Sequence, residues 1–197
     1  MAQYLILPIN KARLTSSYKN ENYRKQYGFN HYGVDLVSTN GDRTVYAQGK
    51  GIVKAAGYDS LFGNTVVIVY SSAMDPRTKQ VLNVTVRYYH LASIRVKDEQ
   101  RVTKDTVIGV YGDTGKYVDG AHLHMEFDSD TKYYNYAPGI KASGTIIKKG
   151  IDTTFNPLDM TCVKTNAPDY QTFVGSNYNT VTKGEAEACK RIKSTVA

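Results

Sequence analysis

The chain contains four histidines, and all of them fall where they can share chemistry. His122 and His124 are separated by one residue, His31 stands four residues before Asp35, and His90 lies between these two groups in the sequence. Neutral imidazole is the commonest protein metal ligand and the commonest proton carrier near pH 7. A single histidine in a sheet is usually a hydrogen-bonded structural residue, but four in this pattern point to one metal site. Two imidazoles and a carboxylate with a fourth position open suit Zn²⁺, which lowers the pKa of its water to about 7. The hydroxide formed in this way attacks an amide carbon, so the chemistry implied is peptide hydrolysis.

The elements that position these residues read as strands. Side chains alternate along a strand, so His122, His124 and Glu126 face one way and Leu123, Met125 and Phe127 the other, the apolar three marking the core face. The spacing of His31 and Asp35 puts them on one side of a helix or a strand alike, and Gly33 within a β-rich context favours an extended or looped setting. The same alternation groups Val84, Val86, Tyr88 and His90, which delivers His90 to the groove from a neighbouring strand.

Residues 44–47, 51–56, 65–70, 81–90, 102–111 and 121–127 are β-branched or aromatic runs bounded by Gly, Asn, Asp or Pro, which predicts antiparallel sheet. Asp59 to Asn64 suits a hairpin connection, Ser71 to Lys79 a longer one, and residues 112–115 a turn. Residues 1–29 read as a lead-in segment, with a strand over Leu5 to Pro8 and turn material over Ser16 to Asn20. Residues 128–155 lack periodicity and are expected to form a long loop or insertion beside the sheet. Residues 159–197 form a C-terminal extension in which 184–193 are good helix formers.

Composition bounds the partners. With 197 residues, 41% hydrophobic and 22% charged, the chain can build one substantial core, and its profile argues against wholesale disorder. Its formal charge of +7 draws it to polyanions such as a cell wall, an anionic membrane or nucleic acid. No block of five basic residues occurs, and the short stretch Lys190 to Lys193 fits a solvated tail helix better than a nucleic-acid arm. Cys162 and Cys189 belong to no C-x-x-C pair, which disfavours a sulfur-ligated zinc; a bridge between them depends on the compartment. The opening residues lack a basic region and a long enough apolar run for a signal peptide, and no stretch nears the ~20 apolar residues of a membrane span. Work outside a cell would then require a trimmed signal or another exit, such as phage lysis or a virion.

From about Asn30 to Leu158 the chain resembles the lysostaphin/LytM-type zinc endopeptidases of bacterial cell walls, peptidase family M23. The resemblance rests on His31-Tyr-Gly-Val-Asp35, Val45-Tyr-Ala, Gly51-Ile-Val, Gly63-Asn-Thr-Val-Val-Ile, Tyr89-His90-Leu-Ala, Val107-Ile-Gly, Gly112-Asp-Thr-Gly115, His122-Leu-His-Met-Glu-Phe127 and Asn156-Pro-Leu158, in this order. It implies a mainly β fold, an antiparallel sheet or sandwich with a groove, to which the C-terminal helix is added. The peptidase domain would span 30–158 and carry the insertion at 128–155. The resemblance further implies one Zn²⁺ held by His31, Asp35 and His124, with His90 and His122 as catalytic histidines that flank the water. Glu126 would support a ligand or play a structural part rather than act in catalysis, because the ligand set is complete without it. The substrate would be the stem or crosslink peptides of peptidoglycan, in the cell wall or reached from a phage virion, with phage tail or wall proteins as further partners.

Departures from the family pattern are Lys97-Asp98-Glu99-Gln100, where glycine is common, and residues 128–155 and 159–197. Tyr32 and Tyr88 are candidates for the groove wall. The rival from another class is a catalytically silent LytM-like module, acting as an amidase activator or a phage tail-tip component; such modules generally lose ligands, and here the set is whole. A basic nucleic-acid binder would need Arg87, Tyr89 and Tyr111 exposed on one sheet face, and it leaves the histidines unexplained.

Overall fold

β-Branched and aromatic runs fit a pleated, half-buried surface, and the fold is dominated by sheet. The computed structural model describes residues 1–132, 152–164 and 171–174. In chain order the strands are β1 (Leu5–Ile6), β2 (Lys11–Ser16), β3 (Val34–Ser38), β4 (Thr44–Tyr46), β5 (Gly51–Asp59), β6 (Gly63–Met74) and β7 (Val81–Ile94). They continue with β8 (Arg101–Val102), β9 (Val107–Tyr111), β10 (Leu123–Asp128), β11 (Thr154–Phe155), β12 (Thr161–Cys162) and β13 (Thr172–Val174). One α-helix, α1 (Glu21–Tyr27), lies between β2 and β3. The main sheet runs β13-β2-β3-β10-β7-β6-β5-β8, with β11 on β10 and with β9 joining β4 to β7. Its pairings are antiparallel except for β13 on β2, and a separate parallel pair joins β1 to β12.

The predicted alternation holds on the central strands. Val66, Ile68 and Tyr70 of β6, Val84, Val86 and Tyr88 of β7, and Leu123, Met125 and Phe127 of β10 are all buried in one apolar cluster. Each such side chain contributes roughly 1.5–3 kcal/mol on burial. A one-residue slip would turn the whole set to the other face, so the core fixes the register of β10 against its neighbours. That register turns His124 and Glu126 away from the core.

Three parts of the fold differ from the sequence expectation. Residues 1–29 hold more than a lead-in strand: β2 pairs with β3 beside the site, and α1 follows it. The helix signals were present in the sequence, because the Asn20 side chain accepts from the Tyr23 N–H at the start and Gly28 takes the left-handed backbone at the end. The segment 128–155 is strand at both ends, with Phe127 and Asp128 paired to Phe155 and Thr154; its middle lies outside the described residues. In the turn without glycine, Glu99 itself adopts φ 61°, a conformation costing a non-glycine residue about 1–2 kcal/mol. The expected helix over 184–193 and Cys189 lie outside the described residues, while Cys162 is buried in β12.

Candidate metal centre

Asp35 on β3 and His124 on β10 are directly opposed in the β3–β10 ladder, and opposed side chains on one face sit close enough to share a ligand. His31 joins them from the loop before β3. His31 Nε2 lies 3.0 Å from Asp35 Oδ1 and 2.9 Å from His124 Nδ1, and His124 Nδ1 lies 2.9 Å from Asp35 Oδ1. Among the described residues these three form the group able to hold a metal ion. Gly33 lets the loop approach this closely: a Cβ there would stand 2.4 Å from the Met125 carbonyl oxygen and 2.8 Å from His124 Nε2.

The far side of each ring decides which nitrogen faces the centre. His31 Nδ1 donates to the Ser17 carbonyl at 2.8 Å, so its Nε2 carries the lone pair. His124 Nε2 donates to Glu126 Oε1 at 3.1 Å, so in the neutral ring its Nδ1 carries the lone pair. A second partner that fixes the tautomer in this way is the usual accompaniment of a metal-bound histidine. Tetrahedral zinc ligands lie about 3.4 Å apart, so the triangle is a few tenths of an ångström tighter than zinc requires. The electrostatics point the same way. Burial opposes charge on His124, but bonds to Asp35 and Glu126 outweigh it and raise the ring to about 9. Burial likewise opposes charge on Asp35, yet His31, His122 and His124 hold its carboxyl well below the usual range. The donor set attracts positive charge to its common point.

His90 reaches the centre, but not by the alternation expected from the sequence. Tyr88 and Leu91 on β7 both face the core, with Tyr89 and His90 between them. Between the pairs Val66–Tyr88 and Asn64–Leu91 the ladder shifts register, so β7 carries an extra residue, and His90 has φ 62°. This bulge turns Tyr89 and His90 together to the site face. Phe62 and Gly112 clamp it, the His90 N–H donating to the Phe62 carbonyl at 3.0 Å and the Gly112 N–H to the His90 carbonyl at 2.8 Å. His90 Nδ1 donates to the Thr114 carbonyl at 2.9 Å. The turn carrying Thr114 fits because Gly63 is bare, since a Cβ there would lie 2.3 Å from the Thr114 backbone. Burial, then the charges on His124 and His122, pull His90 down to about 3, so its Nε2 remains an acceptor.

His122 is tied to the same turn. Its N–H donates to the Gly112 carbonyl at 2.9 Å, so Gly112 bonds to both non-triad histidines. His122 Nδ1 donates to the Gly120 carbonyl at 2.8 Å, leaving Nε2 3.5 Å from Asp35 Oδ1. The His90 and His122 rings lie 5.0 Å apart. Beside them runs a groove of about 400 Å³, lined by Tyr23 and Tyr27 of α1 and by Tyr117 and Asp119 of the loop leading to β10.

All five predicted site residues therefore converge. Of the two tyrosines proposed for the wall, Tyr32 lines a small cleft at His31, whereas Tyr88 is in the core, bonded to Tyr70 and Gln48. The wall tyrosines, Tyr23, Tyr27 and Tyr117, carry no distinguishing signal among 17 tyrosines beyond the Asn20 and Gly28 helix caps that flank the first two. Arg87, Tyr89 and Tyr111, the platform of the nucleic-acid reading, are buried.

The sequence profile of Peptidase family M23 matches residues 29–136, more than half of the chain and all five site residues. The chain belongs to peptidase family M23. This M23 chain is 35% identical over 97 residues to the peptidoglycan DD-endopeptidase ShyC of Vibrio cholerae, a match covering 49% of this chain and 20% of ShyC. It thus spans about a fifth of that curated relative's length. A zinc-containing peptidase from Vibrio cholerae superposes with TM-score 0.52 at 29% identity, over 64% of the M23 chain and 37% of that structure. A chain of the SpoIIQ–SpoIIIAH pore-forming complex superposes with TM-score 0.57 over 82% of this chain and 92% of its own, at 18% identity, a likeness of fold alone.

Proposed function

We propose that the chain is a zinc-dependent endopeptidase that hydrolyses peptide bonds in the stem or crosslink peptides of bacterial peptidoglycan. His31, Asp35 and His124 hold the ion, and His90 and His122 are the catalytic histidines. One observation carries the reading: four imidazoles have one nitrogen each bonded outward, to Ser17, Thr114, Gly120 and Glu126, which leaves the other nitrogen of each for the centre. Two of these imidazoles, His31 and His124, together with the Asp35 carboxylate suit a zinc ion, which supplies a Lewis acid that polarises a carbonyl and brings water to a pKa of about 7.

The protein's own part is proton handling and positioning. His122 Nε2, at the mouth of the groove, accepts a proton from the attacking water and returns it to the leaving amine. His90 Nε2, more deeply buried and left as an acceptor by the Nδ1 bond to Thr114, accepts a hydrogen bond from the attacking water on the opposite side and so orients it toward the carbonyl. Such general acid–base assistance contributes about 10²–10⁴-fold. The groove between α1 and the 117–121 loop accepts an extended peptide, and its tyrosines provide rigid, amphipathic walls. A peptidoglycan DD-endopeptidase among the relatives and a net charge of +7 support the wall as target.

The test is release of new amino groups from purified peptidoglycan by the zinc-loaded chain, beside a chelated sample and His122→Ala. Activity that disappears in both controls supports the proposal. Stoichiometric zinc uptake with every wall type left intact overturns it in favour of a silent binding module.

A further inference from the structure

Arg87 is the largest fully buried side chain of the described residues, and a buried guanidinium is costly unless its partners repay the lost hydration. Its partners lead to the metal centre. Arg87 is directly opposite Glu126 in the β7–β10 ladder. Its Nη1 donates to Glu126 Oε2 at 3.3 Å, and its Nη2 donates to Asp128 Oδ2 at 2.8 Å. Glu126 uses its other oxygen to accept from His124 Nε2. Asp128 is anchored in turn, because the Asp130 N–H and the Thr153 hydroxyl both donate to its Oδ1, at 2.8 and 2.7 Å. A continuous polar line therefore runs from Thr153 through Asp128, Arg87 and Glu126 to His124.

We infer that Arg87 is a positioning residue for the metal centre, holding Glu126 so that Oε1 fixes the His124 tautomer and Nδ1 faces the ion. The inference rests on the zinc reading above. A carboxylate two residues from a ligand has other options: to rotate away from the ring or to offer its oxygen elsewhere. Arg87 engages Oε2 and so leaves Oε1 a single direction. Asp128 balances the charge of Arg87 and keeps the guanidinium from swinging toward the histidines. A merely structural ion pair between β7 and β10 would support stability without affecting the ion.

Zinc affinity distinguishes these roles. The full chain is titrated with Zn²⁺ against a chromophoric chelator, as wild type and as Arg87→Met combined with Asp128→Asn, which removes one charge of each sign. The expected result is a folded double variant with about 10–100-fold weaker zinc affinity and an altered visible spectrum when Co²⁺ replaces zinc. Tyr70→Phe, which removes a buried hydroxyl bonded to Tyr88 away from the centre, should lower the melting temperature and leave zinc affinity unchanged. Wild-type affinity and spectrum in the folded double variant overturn the inference, and so does an equal loss of affinity in Tyr70→Phe. If the double variant does not fold, Arg87→Lys decides, since it keeps the charge and loses the rigid fork: weaker zinc binding supports the role, unchanged binding overturns it. A zinc-loaded wild type that leaves peptidoglycan intact affects only the proposed function, whereas a wild type that takes up no zinc overturns both.

Discussion

Asp35 and His124 meet across the regular β3–β10 ladder, whereas His90 reaches the same centre from a bulge on β7 with left-handed backbone. The first arrangement is held by the core: as long as Leu123, Met125 and Phe127 stay buried, His124 stays opposite Asp35. The second is held by contacts that override the strand, from Phe62, Gly112 and Thr114. Regular register suits ligands, which must agree with one another to within a few tenths of an ångström. A bulge suits a group that faces the substrate, because it re-aims one side chain without disturbing the ladder on either side.

The strongest test of that division separates metal from chemistry. Asp35→Ala and His124→Ala should abolish stoichiometric zinc uptake and reduce peptidoglycan hydrolysis to background, as measured by metal analysis and amino-group release on the same samples. His90→Ala and His122→Ala should retain one zinc per chain and slow hydrolysis about 10²–10⁴-fold. Loss of zinc from His90→Ala would erase the distinction and make His90 a ligand.

The same contrast explains what could be read from the sequence. Period-two alternation located the core face of β10, so the side on which His124 and Glu126 project was legible, and so was the pairing of His31 with Asp35. For His90 the alternation gave the right destination for the wrong reason: it grouped the residue with Tyr88, which faces the core. A bulge is set by tertiary clamps 20 and more residues away, and no local pattern announces it. Arg87 was hidden for a related reason, since an arginine within a β-branched run reads as surface until its partners on β10 are known. The caps of α1 were legible at Asn20 and Gly28 but masked by the polar, tyrosine-rich segment around them.

Two glycines sharpen the comparison with smaller effects. Gly33→Ala would press a methyl group on Met125 and His124, so its damage should appear as weaker zinc binding. Gly63→Ala would press on Thr114 at φ 71°, straining the turn by about 1–3 kcal/mol and displacing the carbonyl that holds His90. Its zinc affinity should stay at the wild-type value while hydrolysis falls by up to about 10²-fold, the cost of misplacing a catalytic group by about an ångström. Equal zinc loss in both variants would show that the bulge and the ladder are one unit.

The effect of pH on zinc binding falls on the ladder side alone. In chelator-stripped protein His124 lies near 9, because bonds to Asp35 and Glu126 outweigh burial. Since this value is above the ordinary 6.5, protonated His124 contributes stability that is fully present below about pH 6.5 and is lost as pH rises through about 9. Zinc must displace the same proton, so its apparent affinity should rise about tenfold per pH unit between these limits and level off above them. Chelator competition across pH 6–10 and thermal melts of the stripped chain should therefore move in opposite directions, zinc binding gaining as metal-free stability declines. His90 lies on the other side of the comparison: held near 3 by burial and its charged neighbours, it stays neutral in the folded chain and should leave no step in the zinc curve, and in the melts it lowers stability only at the acid end, where the unfolded chain takes up its proton near 6.5. A zinc affinity that is flat from pH 6 to 9 would mean that His124 is already neutral there and that Glu126 and Asp35 do not share its proton.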